Sequence, residues 1–157
     1  MINDVWGFKK DAYIARVAAK YNVPCCLMHN RDNRNYINLI DDVLKDLEES
    51  IAIALSAGVK RHNIILDPGI GFAKSYEDNL KTMNNLDKLN SLGYPVLLGT
   101  SRKSMIGFAM NLPVSERLEG TLATTAIGIL KGCEFVRVHD ILENKRVCAM
   151  ADAIFRI

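Results

Sequence analysis

Leu97-Leu98-Gly99-Thr100-Ser101-Arg102-Lys103-Ser104-Met105-Ile106-Gly107 is an apolar run that stops at a glycine and turns at once to hydroxyls and two cations. A strand ending this way sets hydrogen-bond donors and positive charge at its C-terminal tip, where parallel α/β folds bind ligands. Four other runs end alike. Met1-Ile2 leads to Asn3 and Asp4, and Pro24 to Met28 leads to His29. Ile64 to Leu66 leads to Asp67-Pro68-Gly69-Ile70-Gly71-Phe72, and Phe135 to Val138, with Arg137 inside it, leads to His139 and Asp140. All are short and rich in Val, Ile and Leu, as buried parallel strands are.

Helical stripes separate these runs. Ile37, Ile40, Leu44, Leu47, Ile51 and Leu55 form the longest, stopped by Gly58. Leu80, Met83, Leu86, Leu89 and Leu92 form the second, closed by Gly93 and Pro95. Leu118, Leu122, Thr125, Ala126 and Ile129 form the third, and Val147, Met150, Ile154 and Ile157 the last. A weaker stripe runs from Asp11 to Tyr21. No linker or repeat interrupts the alternation, so residues 1–157 read as a single α/β domain with a parallel sheet and helical crossovers. An open doubly wound sheet and part of a closed barrel both fit. A full (β/α) barrel takes about 250 residues and eight strands. Five strands, the first beginning at Met1, point to something missing upstream.

A net charge of +2 with dispersed basic residues gives no basis for nucleic-acid binding. No apolar run is long enough for a membrane helix, and Asn3, Asp4 and Gly7 break any signal-peptide pattern, so a cytoplasmic location is expected. Cys25, Cys26, Cys133 and Cys148 form no CxxC pair and no zinc spacing with His, which predicts reduced thiols, three of them buried.

Parallel neighbours bring all five tips to one rim. Asp67-Pro68-Gly69 alone reads as a turn; the glycines flanking Ile70 would also let a ligand approach the backbone. Lys103 stands where the helix dipole disfavours a cation, which predicts an anionic or carbonyl partner. Arg137 and His139, two apart, share one strand face and read as an anion site, most simply for phosphate. The alternative is an ion pair of this arginine with Asp140 or Asp4. His29 reads as structural and His62 as exposed, while Trp6 and Phe8 fit a core or a stacking surface.

Taken in order, these motifs resemble the C-terminal part of dihydropteroate synthase. Ile2-Asn3-Asp4-Val5 is similar to that family's fourth-strand motif and Leu27-Met28-His29 to its fifth. Asp67-Pro68-Gly69-Ile70-Gly71-Phe72 is similar to the sixth, Ser101 to Gly107 to the seventh, and Arg137-Val138-His139-Asp140 to the eighth. Glu116-Arg117 and Gly120-Thr121 match as well; Ile70 and Ala73 stand where Phe and Gly are commoner.

The resemblance implies a partial (β/α)8 TIM barrel of five parallel β/α units, strands 1–3 absent. It implies condensation of a dihydropterin pyrophosphate with p-aminobenzoate in folate biosynthesis. Asp67 and Asn3 would bind the pterin edge, Met28 its face, and Lys103 its carbonyl and ring nitrogen. Gly71 and Phe72 would line the p-aminobenzoate slot, with Ser104 at its carboxylate. Arg137 and His139 would stabilise the leaving pyrophosphate, and Gly99 and Ser101 complete the substrate-binding set. Mg2+ would accompany the pyrophosphate, its protein ligands lying in the missing N-terminal part. No side chain is a nucleophile or a metal ligand. The family pairs through C-terminal helices, so a homodimer is expected, and five strands alone are expected to show no turnover. Two alternatives stand beside this reading: a methyltetrahydrofolate-dependent methyltransferase-type pterin domain, and a non-catalytic half-barrel interaction module.

Overall fold

The computed structural model describes residues 1–155. Its strands are β1 (Ile2–Asp4), β2 (Cys25–Met28), β3 (Ile64–Asp67), β4 (Leu97–Leu98) and β5 (Phe135–Val136). Its helices are α1 (Tyr13–Tyr21), α2 (Leu39–Ser56), α3 (Tyr76–Asn84), α4 (Ser104–Met110), α5 (Leu118–Leu130) and α6 (Ile141–Phe155). Every pairing is parallel and follows chain order: β1 with β2, β2 with β3, and β4 with β5. A single bridge, Leu66 to Val96, joins the two groups into one arc. This is the arc of a partial β/α barrel.

Alternation along the strands gives the arc two faces. Cys25, Leu27, Ile64, Leu66, Val96 and Leu98 belong to the main core beneath the helices, with Val43, Leu47 and Ala54 of α2 and Ala15 and Ala18 of α1. Each large aliphatic side chain buried there stabilises the fold by about 2 kcal/mol. The intervening residues face inward, and the register sets Asn3 level with Cys26 and Ile65, and Met28 level with Asp67. Leu97 is level with Phe135, which is 46% exposed on that inner face.

Several sequence expectations are corrected. Ile37 precedes α2 and is fully exposed; its N–H donates to the Asp42 carboxylate at 3.0 Å instead of continuing the stripe. The Leu80–Leu92 stripe is two pieces, α3 and a 3-10 segment over Leu86–Leu92. Leu86 and Leu89 are buried, whereas Leu80 is largely exposed. On α6 the buried residues are Asn144 and Ala151, while Met150 and Ile154 are exposed. The α5–α6 contact is partly polar, with Thr125 Oγ1 donating to Asn144 Oδ1 at 2.7 Å. Ile157 lies outside the described residues. Strand β5 stops at Val136, so Arg137 and Val138 lie beyond it; the last ladder bond runs from Arg137 N–H to the Leu98 carbonyl at 2.9 Å.

Phe8 is a core residue, and Trp6 lies under the Lys10 ammonium at 4.4 Å. Cys25, Cys26 and Cys133 are buried and Cys148 is half-buried. Among the described residues no helix is long and apolar enough to cross a membrane.

Candidate functional site

Asp67 closes β3 and points inward, 8% exposed. Its Oδ1 accepts the Gly69 N–H at 2.7 Å. Its Oδ2 faces β4, where a Cβ on Gly99 would stand 3.9 Å away. Burial pushes this carboxyl above the ordinary range, while the Gly69 N–H and the charges of Lys103 and Lys74 pull it down. Met28 flanks it at the same level of β2.

The chain leaves Asp67 through a loop that needs unusual backbone. Gly69 has φ +67°, and a Cβ there would come within 2.0 Å of the His29 carbonyl oxygen. Ala73 takes φ +46°, a region that favours glycine. Side chains from other segments brace the loop. The Gly71 N–H donates to Asn79 Oδ1 at 2.6 Å, and Tyr36 OH donates to the Ala73 carbonyl at 2.9 Å. α3 begins immediately afterwards on a capping box between Ser75 and Asp78.

Lys103 precedes α4 and reaches back over this loop. Its Nζ donates to the Ile70 carbonyl and lies 4.9 Å from the centre of the Phe72 ring. The carbonyl partner expected from its position is thus a backbone one in this state. Burial lowers its pKa, opposed by the Asp67 charge and helped by Arg137. Ser104, the first residue of α4, is exposed and lines a cleft of about 290 Å3 with Gly71, Arg34, Tyr76 and Phe108.

A second group stands at the tips of β4 and β5. Ser101 Oγ lies 2.9 Å from His139 Nδ1 and accepts the His139 N–H at 3.2 Å. With the hydroxyl donating to Nδ1, the ring proton sits on Nε2, aimed away from Ser101. Arg137 and His139 are exposed, and β5 ends before either of them. The alternative ion pairs do not form. Asp140 is held by Arg102 at 2.5 and 3.1 Å, and Asp4 accepts the Phe8 N–H at 2.5 Å.

The structure therefore gathers Met28, Asp67, Gly71, Phe72, Gly99, Lys103 and Ser104 around one loop, with Ser101, Arg137 and His139 beside them. Asn3 lies one layer lower on the same inner face and is exposed. Lys74, Asp46, Arg31 and Tyr36 were not singled out by the sequence. They sit behind the loop, around the fully buried His29, whose ring reaches Asp46 Oδ2 at 3.0 Å and Lys74 Nζ at 2.8 Å. The readable signal was a histidine directly after an apolar strand, which must find polar partners if buried. Among the described residues no three His, Cys, Asp or Glu side chains are placed to hold a metal ion.

Comparison with known proteins gives a consistent result. A family model described as pterin binding enzyme matches residues 1–139. The dihydropteroate synthase of Clostridium beijerinckii is 69% identical over 157 residues, which are 99% of this chain and 58% of that protein. The dihydropteroate synthase of Bacillus subtilis is 58% identical over 154 residues, 98% of this chain and 54% of that protein. The chain thus spans a little over half the length of these relatives. A crystal structure of the Clostridium difficile dihydropteroate synthase in the presence of pteroic acid superposes with TM-score 0.98 at 47% identity, covering 100% of this chain and 60% of that one. A Yersinia pestis dihydropteroate synthase with a sulfonamide drug superposes with TM-score 0.92 at 31% identity, covering 98% of this chain and 58% of that one. With a parallel arc and an inward carboxylate already established from the residues, the match over residues 1–139 means that the chain belongs to the pterin binding enzyme family.

Proposed function

We propose that this chain supplies the pterin floor, the p-aminobenzoate slot and the pyrophosphate corner of a dihydropteroate synthase. The carrying observation is Asp67: a buried carboxylate with one oxygen tied to the loop and the other facing the inner rim across Gly99. Such a group accepts a hydrogen bond from a flat amino-pyrimidine edge, and water is excluded on its outer side. Asn3 gives and accepts with its amide, and Met28 packs on the ring face. Lys103 exchanges the Ile70 carbonyl for the pterin carbonyl and ring nitrogen. Gly71 and Phe72 line the arylamine slot, and Ser104 meets its carboxylate.

In the reaction the bond between the pterin methylene and the pyrophosphate oxygen breaks, and the electron pair leaves with pyrophosphate. The amine nitrogen forms the new C–N bond and loses a proton. The residues position the partners and stabilise leaving-group charge; none becomes covalently attached. Arg137 and the Nε2–H of His139, oriented by Ser101, take that charge. Mg2+ would accompany the pyrophosphate and help neutralise its charge, and among the described residues no cluster of His, Cys, Asp or Glu is placed to hold it. The buried thiols of Cys25 and Cys26 suit a reducing, cytoplasmic setting. A homodimer through α5 and α6 would cover Leu130, Ile141, Leu142, Met150 and Ile154, all exposed.

Calorimetry with a pterin, comparing the protein with Asp67→Asn, tests the reading. Affinity is expected to fall about 100-fold, since a charge-assisted bond is replaced by a mismatched amide. Equal affinities would remove Asp67 from the site.

A further inference from the structure

Behind the loop lies a buried cation that the reaction above does not use. Lys74 is 4% exposed. Its Nζ has three acceptors: His29 Nδ1 at 2.8 Å, the Gly69 carbonyl at 3.2 Å and the Phe72 carbonyl at 3.2 Å. Three acceptors match the three protons of an ammonium. For Nδ1 to accept, the imidazole proton must sit on Nε2, and Asp46 Oδ2 stands there at 3.0 Å to receive it. Asp46 in turn accepts from Arg31 Nε at 2.5 Å and Nη2 at 3.2 Å. With Lys74 as the ammonium, the row runs ammonium, neutral imidazole, carboxylate, guanidinium.

The two carbonyls that Lys74 holds bracket Ile70 and Gly71. Those two residues carry the carbonyl taken by Lys103 and the N–H taken by Asn79. Gly69, whose carbonyl Lys74 holds, also gives its N–H to Asp67. A loop of this shape could be braced by neutral groups, as Asn79 braces Gly71. An ammonium in this place costs several kcal/mol of desolvation, so a neutral brace would be the cheaper design. What only a charge supplies is a field on a neighbouring carboxylate.

We propose that Lys74 is a positioning residue: its ammonium fixes the Gly69–Phe72 loop and keeps Asp67 ionised as the acceptor of the candidate site. This rests on the reading of Asp67 as the pterin-binding carboxylate. The ionisable groups acting on Lys74 are Asp67, Lys103, Asp78 and Asp46, besides the touching His29 ring. Those acting on Asp67 are Lys103 and Lys74, and Cys26 shares its inner face. Burial pushes Lys74 down to about 7, with Asp67 the first charge opposing it.

The test is a carbon-13 titration of the Asp67 carboxyl, its resonance assigned by its loss in Asp67→Asn, in the protein, in Lys74→Met and in Lys74→Gln. Loss of a cation this near is expected to raise the Asp67 midpoint by about one pH unit in both variants. Pterin affinity falls with it, by up to about tenfold, at pH values below the Asp67 midpoint, and recovers as the pH is raised above the variant's midpoint. Lys74→Gln keeps an amide donor in place, so the charge can be read there if Lys74→Met does not fold. A midpoint unmoved in the folded variants overturns the inference, even if their melting temperatures drop. The titration needs no ligand, so a failure of the unaltered protein to bind a pterin would count against the function proposed for the site and leave the titration result standing.

Discussion

The tips of β3 and β5 are built on opposite plans. At β3, Asp67 is buried, the loop after it is held by Lys74, Lys103, Asn79 and Tyr36, and Gly69 fits only because it lacks a Cβ. At β5, the strand is two residues long, Arg137 and His139 are exposed, and Ser101 alone ties the histidine down. The difference follows the chemistry each tip would serve. A flat neutral ring is recognised by a few hydrogen bonds, which discriminate only where water is excluded and the geometry is held. A diphosphate brings its own charge, and exposed cations attract it from a distance without prior burial. Rigidity is concentrated at the tip proposed to take the weakly charged ring.

Two glycines sharpen that contrast most. Gly69→Ala forces a Cβ to within 2.0 Å of the His29 carbonyl at φ +67°. It is expected to cost about 3 kcal/mol, a fall in Tm of roughly 10 °C, and to abolish pterin binding with it. Gly99→Ala meets only Asp67 Oδ2 at 3.9 Å, an ordinary contact. Its Tm should stay put, while a methyl on the inner face beside Asp67 should still weaken the pterin. Thermal melts and calorimetry on the pair decide; a Gly99→Ala protein with unaltered affinity would move the ligand away from β4.

The buried row behind β3 sets the next effect. Desolvation pushes the His29 imidazole down to about 4, against about 6.5 in an unfolded chain. Between those values the unfolded chain binds the proton and the folded one does not, so His29 favours folding fully above pH 6.5. That contribution is lost as pH falls toward 4, and is worth up to about 3 kcal/mol. Denaturant unfolding across pH 4 to 7 should show the slope, and His29→Asn should flatten it. An unchanged slope in the variant would place the acid sensitivity elsewhere, with Asp46, which is held below the ordinary carboxylate range, as the next group to examine.

How far the sequence could be read depended on how local each cause was. Asp67-Pro68-Gly69 announced its turn because the residues that make the turn are adjacent in the chain. The α2 stripe was legible because Ile40, Leu47 and Ile51 do face the core. The stripe on α6 misled, since periodicity reports an apolar face whether or not anything covers it, and Met150 and Ile154 stand exposed. Arg137 was misplaced for a related reason: Val136 and Val138 suggest a longer strand than the pairing with β4 sustains. The Lys74–His29–Asp46 row could not be read, because its members lie 45 and 17 residues apart and only the packing of three elements brings them together.

The β5 tip carries the smallest prediction and the one that separates the two plans most cleanly. Arg137 is exposed, and among the described residues no hydrogen bond of its side chain holds another element in place; its backbone N–H, which bonds Leu98, survives any substitution except proline. Arg137→Ala should therefore change stability by less than about 0.5 kcal/mol. Pyrophosphate affinity, measured by calorimetry, should fall roughly tenfold, the worth of one hydrogen bond to a charged group. The deficit should shrink as salt is raised, because an exposed cation acts through a screened field, whereas the loss in Asp67→Asn should hold steady in the same series. If Arg137→Ala instead lowered the Tm, or lost affinity independently of salt, the arginine would be part of a preformed frame and the tips of β3 and β5 would follow a single plan.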